Sequence, residues 1–563
     1  MKMKNYIFFY CFLLLFNVQL LAQSRTITGS VTDNKGQPVA NASVLVKGTT
    51  TGTTTNADGK FTIFIPSTAR ILVISSLNYQ SNETPITSRN VYSVILNPAN
   101  AESLDEVVVV GYSTVNKSSL SGSVSKVSGR EVANRPVLSF DQALTGKASG
   151  VQINTSSGLV GDNVIIRVRG AASISSGSQP LIVMDGVPLI QGNNGQLYNP
   201  VNVLADINPN DIESVEVLKD ASAASIYGSR ASGGVILVTT KKGKSGKTSM
   251  TYDNYVGFNS PSRNMRVLNA NEYTGVINLM RSNAGLANIA ANGDYNGDGK
   301  TDDTDWQGEV YRNGLTHNHQ VSVSGGADRT TFYGSLNYND FENYMIVNRQ
   351  TRGSARLNLT TKLTNWLDMG IKTQFSRTYL YGVGSGTGGA LSGVPFGPLT
   401  AYPNVPAYNA NGTYYTGSGG NSPLNNTPNP VAVQNLNYDT RENRRYIASV
   451  FAEATVTKGI KLKSQYNIDY LTGYTDQYWD PSVGDGSGLA GVAQTVFNER
   501  RVWSWFNTLN YNTKIGNHDI SALAGAEYTR TKGGWNYAFG IGLNDPLFRI
   551  ISSSNYASVG ATN

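Results

Sequence analysis

Residues 460–470 read IKLKSQYNIDY. Successive side chains of an extended strand point to opposite sides, so Ile460, Leu462, Tyr466, Ile468 and Tyr470 share one face and Lys461, Lys463, Gln465, Asn467 and Asp469 the other. The same alternation sets Leu367, Met369, Ile371 and Phe375 against Asp368, Lys372, Gln374 and Ser376. It sets Phe332, Leu336 and Tyr338 against Thr331, Ser335, Asn337 and Asn339, and Met250, Tyr252, Val256 and Phe258 against Thr251, Asp253 and Tyr255. Similar runs lie near 319–325, 353–360, 446–457, 501–512 and 519–529. An apolar face and a polar face repeated in segment after segment, with tyrosines near the strand ends, is the pattern of a barrel that turns its apolar side to lipid. A soluble β-sandwich also alternates, but long polar intervals such as 380–440 suit the outer loops of a membrane barrel better.

Composition agrees with a mostly β protein. Charged residues are 15% of the 563, well below the roughly 25% of ordinary globular chains, while Gly (59) and Tyr (31) are high. Past the N-terminus no apolar run approaches the ~18 residues of a spanning helix, and mean hydropathy is −0.25. The net charge of +7 is modest for this length and no basic block carries interleaved aromatics, which argues against nucleic acid as a partner.

The N-terminus has the pattern of a signal peptide over residues 1–22. Lys2 and Lys4 precede the apolar run Ile7–Phe16, and Leu20-Leu21-Ala22 offers a small-residue cleavage site. Cys11, the one cysteine, lies inside that run, so an exported mature chain has neither disulfides nor thiol chemistry.

Residues 24–97 alternate short β runs with turn signals at Asn34-Lys35-Gly36 and Asp58-Gly59, which predicts a small sandwich. The phrase TITGSVTDNKGQPVANASVLVKGTTTGTTTNADGKFTIFIP (26–66) resembles the carboxypeptidase-regulatory-like, transthyretin-like domain. No His and no zinc-ligand spacing accompany it, so the resemblance implies an accessory module and no peptidase.

A linker, 98–112, contains Leu104-Asp105-Glu106 followed by Val107, Val108, Val109, Val110 and Gly111. A β-branched run tethered between domains can add to the edge of a partner's sheet, where backbone hydrogen bonds supply affinity. It can equally be a buried strand of a neighbouring domain. The segment DEVVVVGY resembles the TonB box of outer-membrane receptors, and that resemblance implies TonB as the partner gripping Leu104 to Gly111.

Residues 113–243 look in isolation like a small soluble α+β domain. Short helices are expected at Asp141–Leu144 and Asp220–Tyr227, and strands at 151–154, 164–168, 181–184, 214–218 and 235–240. A compact domain just ahead of a barrel, starting near 247, suggests a plug. Arg167 and Arg169 alternate with Ile166 and Val168 and so share a strand face; unpaired buried charge is costly, which makes Glu216 and Asp220 candidate partners. The phrases IRVRG, PLIVMDGVP and INPNDIESVEVLKDASAASIYGSRASGGVILVTTKKG resemble the plug of TonB-dependent receptors, and more closely that of the SusC/RagA subgroup. Arg167, Arg169, Gly170, Asp185, Gly186, Glu216, Lys219, Asp220, Tyr227, Gly228 and Gly234 fall on that plug pattern.

About nine alternating strands precede Asn563, whereas a plugged transporter uses about 22. An open sheet edge in lipid is untenable, so 247–563 is expected to be the N-terminal part of a truncated barrel.

One metal pattern stands out. Asp294, Asn296, Asp298, Gly299, Lys300, Asp302 and Asp305 follow calcium-loop spacing, though Asp replaces the usual Glu at the twelfth position and a strand rather than a helix is expected after Trp306. A structural calcium ion is the expected cofactor, if any. His317 and His319 alternate on one strand face without a third ligand. The chain carries no HExxH, GxSxG, Walker loop or strand-following GxGxxG, and no enzyme is expected.

The SusC/RagA resemblance implies TonB-dependent import of a large nutrient, glycan or peptide, across the outer membrane, with a SusD-like surface lipoprotein as lid. Two other readings stay open: a surface receptor or signal transducer on the same scaffold, and a non-functional truncated product. Tyr402, Tyr408, Tyr414 and Tyr415 in the 380–440 interval are candidates for stacking on a sugar or packing on peptide.

Overall fold

The computed structural model describes residues 24–562 apart from 68, 78, 98–106, 111–112, 117–122, 134–135, 156–157, 172–178, 192–201, 221–223, 289–290, 383–395, 417–427, 517 and 544–548; of 107–110 and 113–116 it describes the backbone.

The first unit is a β-sandwich. One sheet orders Lys60–Pro66, Ser24–Asp33 and Val91–Leu96; the other orders Gly52–Thr54, Ser43–Val46, Ile71–Ser75 and Asn82–Pro85. The strand pattern of Lys60–Pro66 alternates strictly, burying Phe61, Ile63 and Ile65 against Ile27, Val44, Leu72 and Ile74 between the sheets.

The second unit joins the predicted plug to the predicted wall. In the plug, a five-stranded sheet runs Val124–Ser128, Ile212–Leu218, Val235–Thr240, Leu181–Met184, Val187–Pro188. Leu181–Met184 pairs parallel with Val235–Thr240 and the other pairs are antiparallel. A separate hairpin pairs Val151–Thr155 with Val164–Val168. Leu181–Met184 is buried at every position, as befits a continuous apolar run covered on both faces. Ile166, Ile182, Met184, Val215, Val217, Ile236 and Val238 form the centre of the plug core, and Ile447 of the wall packs into it.

The wall is one antiparallel sheet of ten strands in chain order: Gly246–Asn259, Gly314–Ala327, Thr330–Glu342, Arg349–Lys362, Leu367–Tyr381, Tyr438–Thr457, Ile460–Trp479, Val492–Ile515, His518–Leu543 and Ser554–Thr562. Nine were legible in the sequence. The tenth, SNYASVGAT, is short and lacks a clear apolar face. Connections at one end are tight, as between Ala327 and Thr330 or Thr457 and Ile460, while at the other end the chain makes long excursions between Asn259 and Gly314 and between Tyr381 and Tyr438. Short turns on one side and long loops on the other is the outer-membrane barrel arrangement.

Burial in this sheet is the reverse of a soluble protein's. The fourth strand buries Gln350, Arg352, Ser354, Arg356 and Asn358 while Leu357 among them is 46% exposed. The third buries Ser335, Asn337 and Asn339 and leaves Leu336 65% exposed. Buried polar residues and an exposed apolar face are informative because they are rare in soluble domains. Here the polar residues face the plug and the apolar ones face outward. No helix among the described residues is long and apolar enough to cross a membrane.

Candidate functional site

The site is the contact between plug and wall, and its centre is the turn Asp185-Gly186. This turn joins Leu181–Met184 to Val187–Pro188 with φ of 52° and 87°, the left-handed pair that a two-residue hairpin needs. Gly186 is also closely packed: a Cβ there would stand 2.9 Å from Gln465 Nε2 and 3.2 Å from a Phe506 ring carbon. Gln465 Nε2 donates to the Asp185 carbonyl at 3.0 Å, and Asn467 Nδ2 to the Gly186 carbonyl at 3.3 Å.

The Asp185 carboxylate is nearly fully buried and meets the wall's cations. Lys372 Nζ donates to its Oδ1 at 3.0 Å, Arg356 Nη1 lies 3.8 Å from Oδ2, and Thr240 Oγ1 donates to Oδ2. Burial alone would push this carboxyl up; Lys372 and Arg356 outweigh it and hold Asp185 below the ordinary carboxylate range. Beside it, Asp211 Oδ1 accepts from Gln320 Nε2 (3.1 Å), Tyr333 OH (2.9 Å) and Ser335 Oγ (2.7 Å), with Arg356 Nε 3.6 Å from its Oδ2. Arg356 also donates to Thr240 Oγ1 and Gln374 Oε1, and Asn358 Nδ2 to Thr240 Oγ1 and the Lys241 carbonyl.

Two further arginines of the wall hold plug backbone. Arg352 Nη1 donates to the carbonyls of Leu138 (3.0 Å), Ala205 (2.7 Å) and Ile207 (3.2 Å). Arg445 is 0% exposed and forks onto Asp469, also 0% exposed, at 2.9 and 2.6 Å, while Nη1 reaches the Val203 carbonyl at 2.6 Å and Asp469 Oδ2 accepts from Ile190 N at 2.7 Å. Burial pushes the Asp141 and Asp206 carboxyls of the plug up; for Asp206, Arg445 and Arg352 work against that push. The arrangement combines these directional contacts with small apolar patches: Ile447 against the plug core, Ile190 and Val203 with Leu471 and Val502, and Leu138 and Val160 with Leu380. The directional contacts seat the domain in one position, and water can take over each of them if the domain moves, since it satisfies the same donors and acceptors.

The sequence-derived candidates fall into groups. Asp185, Gly186 and the neighbouring residues of the Leu181–Met184 turn lie at the interface just described. Arg169 and Asp220 form an ion pair within the plug, and Asp220 is held low by the backbone N–H of Ser123 and by Arg169. Arg169 does not share the strand face of Arg167: the strand ends at Val168 and Arg169 takes φ 58°, followed by Gly170 at 101°. Glu216 is buried, accepts from Ser214 Oγ at 2.8 Å and stands opposite Lys126 in the ladder. Lys219 Nζ donates to Ser149 Oγ, and Gly234 (φ 88°) lets the chain pass Val168. Of the expected helix over Asp220–Tyr227, residues 221–223 lie outside the described residues, Ala224 is helical with its N–H donating to the Asp220 carbonyl at 3.0 Å, and Ser225–Ala231 is a 3₁₀ stretch broken at Gly228 (φ 63°), with Tyr227 buried. Arg352, Arg356, Arg445 and Asp211 were not singled out from sequence. Their signal was present, because all three arginines fall in phase with the polar face of their strands.

Of the TonB-box-like segment, Leu104, Asp105, Glu106 and Gly111 lie outside the described residues. Val107–Val110 is a strand paired with Ser113–Asn116 in a two-stranded sheet. The expected signal peptide, residues 1–22, also lies outside them.

The side-chain oxygens of the calcium-spaced loop accept backbone N–H groups of the loop itself. Asp294 accepts from the N–H groups of Gly297, Asp298 and Gly299, Asn296 Oδ1 from Asp298 N, Asp298 Oδ1 from Lys300 N, and Asp302 Oδ2 from Tyr295 N. Among the described residues no group of three or more His, Cys, Asp or Glu converges on one ion position. Burial pushes Asp302 up, with Asp294 and Asp298 adding to it. Asp305 caps a short helix, Trp306–Val310, where a strand was expected; its Oδ1 accepts from Gly308 N, and Gln307 clamps Met265 N and O. His317 and His319 point outward from the second strand, 5.3 Å apart between ring centres, with Tyr252 OH 2.7 Å from His319 Nδ1. The loop tyrosines are partly spent on one another: Tyr402 packs on Tyr273 and Tyr408 on Tyr414, while Trp306 Nε1 donates to the Tyr402 carbonyl.

Comparison with known proteins gives this geometry its context. Residues 116–235 match the TonB-dependent Receptor Plug Domain and residues 27–109 the CarboxypepD_reg-like domain. The chain is 31% identical over 538 residues to TonB-dependent receptor P3 of Formosa agariphila, and 31% identical over 548 residues to TonB-dependent receptor SusC of Bacteroides thetaiotaomicron, each alignment covering 94% of this chain. The chain is thus a homologue of the SusC-like TonB-dependent receptors over nearly all of its own length. It spans about half the length of the curated receptors it matches, 50% of P3 and 53% of SusC. Its fold is also similar to that of the RagAB peptide importer in the open-open state, with a TM-score of 0.67 and 26% identity, covering 81% of this chain and 53% of that one.

Proposed function

We propose that this chain is the plug-bearing part of an outer-membrane importer that takes up a large nutrient, an oligosaccharide or a peptide, by displacing its plug with energy delivered through TonB. The observation that carries the reading is the polar seat of the plug: buried ion pairs and hydrogen bonds from Arg352, Arg356, Lys372 and Arg445 fix it against a wall whose other face is apolar. A wall of this kind closes on itself in lipid, since an open edge leaves backbone groups unpaired. In the whole protein the substrate binds on the long-loop side of the plug, with a SusD-like lipoprotein as its lid. The Val107–Val110 strand is the segment that TonB grips by adding to its edge.

The test is deletion of Leu104 to Gly111 from the full-length protein. Uptake is expected to stop while the amount of protein in the outer membrane stays the same. Unchanged uptake would refute the coupling role of this segment.

A further inference from the structure

Three of the wall cations that seat the plug descend the inner face of the wall in steps. Arg352 and Arg356 lie four residues apart on Arg349–Lys362, about 13 Å along the strand. Lys372 of the next strand stands opposite Asn358, two residues further from the long-loop end, or about 7 Å. All three point inward on strands whose neighbours on both sides belong to the sheet. Arg352 and Arg356 are 2% and 5% exposed, so plug and wall already enclose them.

Among the described residues these charges are matched only by the plug. The inward carboxylates of the fourth to seventh strands face cations of the wall itself: Asp439 pairs with Arg441, Asp469 with Arg445 and Glu453 with Lys461, and Asp368 stands opposite Lys362. Arg352 holds three plug carbonyls, Arg356 pairs with Asp185 and Asp211 of the plug, and Lys372 with Asp185. A plug that moves away takes these partners with it and leaves three unmatched cations in file. The polar groups around them are also poorly used by the seated plug. Gln350 Nε2, Ser354 Oγ, Asn358 Oδ1 and Ser376 Oγ are buried on the same strip with no hydrogen-bond partner among the described residues, as are Arg352 Nε and Arg356 Nε. Leaving buried donors and acceptors unpaired is costly, so the strip is suited to a state in which the plug is not against it.

We infer that Arg352, Arg356 and Lys372 form a track for an acidic oligosaccharide, a sugar chain bearing carboxylate groups, which passes along this face of the wall while the plug is displaced. The inference rests on the import reading and narrows its substrate class. Each guanidinium can take a carboxylate in two parallel hydrogen bonds, and Lys372 adds a point charge. Every inward position from Gln350 to Asn358 and from Lys372 to Thr378 is polar, which suits a hydroxylated chain and offers no surface to the apolar side chains of a peptide. In a closed wall of about 22 strands spaced ~4.8 Å apart, the far side stands roughly 40 Å away, several screening lengths, so charges there do not cancel this file.

The test uses the full-length protein in planar lipid bilayers, with urea to release the plug. Block of the ionic current is followed for three hexamers added on the long-loop side: hexagalacturonate, its neutral methyl ester and hexaglutamate. Hexagalacturonate is expected to block, hexaglutamate to block more weakly and the ester not at all. Arg352→Gln with Arg356→Gln and Lys372→Gln should raise the half-blocking concentration of hexagalacturonate roughly ten-fold. No block by hexagalacturonate, equal block by the ester, or an unchanged triple variant overturns the track. Block by hexaglutamate as strong as by hexagalacturonate assigns the cations to a peptide and overturns the sugar. Should the triple variant fail to assemble, the salt dependence of block in the native protein decides, because a charged track weakens as KCl rises and a neutral one does not. A current that stays closed after the plug is released contradicts the import reading itself, so the two failures are distinguishable.

Discussion

At Asp185 a left-handed turn, a buried carboxylate and two cations from another domain meet in one residue. Removing the charge leaves Lys372 without its carboxylate and Arg356 with Asp211 alone, and breaking a buried pair typically costs about 3–5 kcal/mol. Asp185→Asn is thus expected to lower the denaturant resistance of the plug at neutral pH, read by the urea midpoint of the detergent-solubilised full-length protein. The pH dependence follows from the depressed carboxyl. Its stabilisation is complete above the unfolded value of about 3.9 and is lost as pH falls from there through the lower folded value, so the native protein should hold its midpoint from neutral pH down to that point and Asp185→Asn should flatten the acid limb below it. An acid limb of equal depth in both proteins would remove Asp185 from the seat. Gly186→Val should also unseat the turn. A left-handed backbone costs an L-residue roughly 1–2 kcal/mol, and the added atoms meet Gln465 and Phe506. Which residues of the plug mattered was legible only in part. The Asp185-Gly186 turn was visible as a dipeptide, but that Asp185 meets Lys372, 187 residues away, depends on how the wall curls around the plug. The pairing of Arg169 with Asp220 was among the options, while the left-handed turn that frees Arg169 from its strand was not.

Single strands show why so much of the wall could be read. A period-two pattern is a local property, and a strand that separates lipid from a polar interior must carry it at nearly every position. Its failures are local as well. Ser554–Thr562 was missed because Gly, Ala and Ser dilute its alternation. The helix Ala270–Asn283 was missed although Asn269 and Glu272 form a capping box, a signal that spacing alone offers. The polarity of the two faces makes a direct prediction. Leu357→Arg places a charge on the apolar face and should destabilise the assembled barrel by about 2–4 kcal/mol if it sits near the midplane, measured by reversible folding of the full-length protein into vesicles. Arg is expected to be tolerated far better at Thr351, which faces outward near the long-loop end beside Tyr379. Equal costs at the two positions would contradict the lipid band.

For the whole molecule, the plug is a domain with its own apolar core, set on a wall whose facing side is polar. Its core strands are continuous apolar runs, so it can remain folded or partly folded when its outer contacts break. Its outer contacts join hydrogen bonds and ion pairs, which water can replace, to small apolar patches around Ile447, Leu471 and Leu380. The alternation of the wall strands was readable without structure. The partner TonB, the lipoprotein lid and the substrate class came only from resemblance, because recognition of a partner depends on surfaces that no periodicity encodes. Movement of the plug is the central claim, and a reversible cross-link tests it. Thr240 and Asn358 join plug to wall at 3.0 Å, and the sequence has no cysteine outside the N-terminal apolar run to compete with an introduced pair. In the full-length protein carrying Thr240→Cys and Asn358→Cys, uptake should cease when the pair is oxidised and return when it is reduced, with outer-membrane levels constant. Uptake that continues at the native rate while the cross-link is shown to be complete would contradict the account.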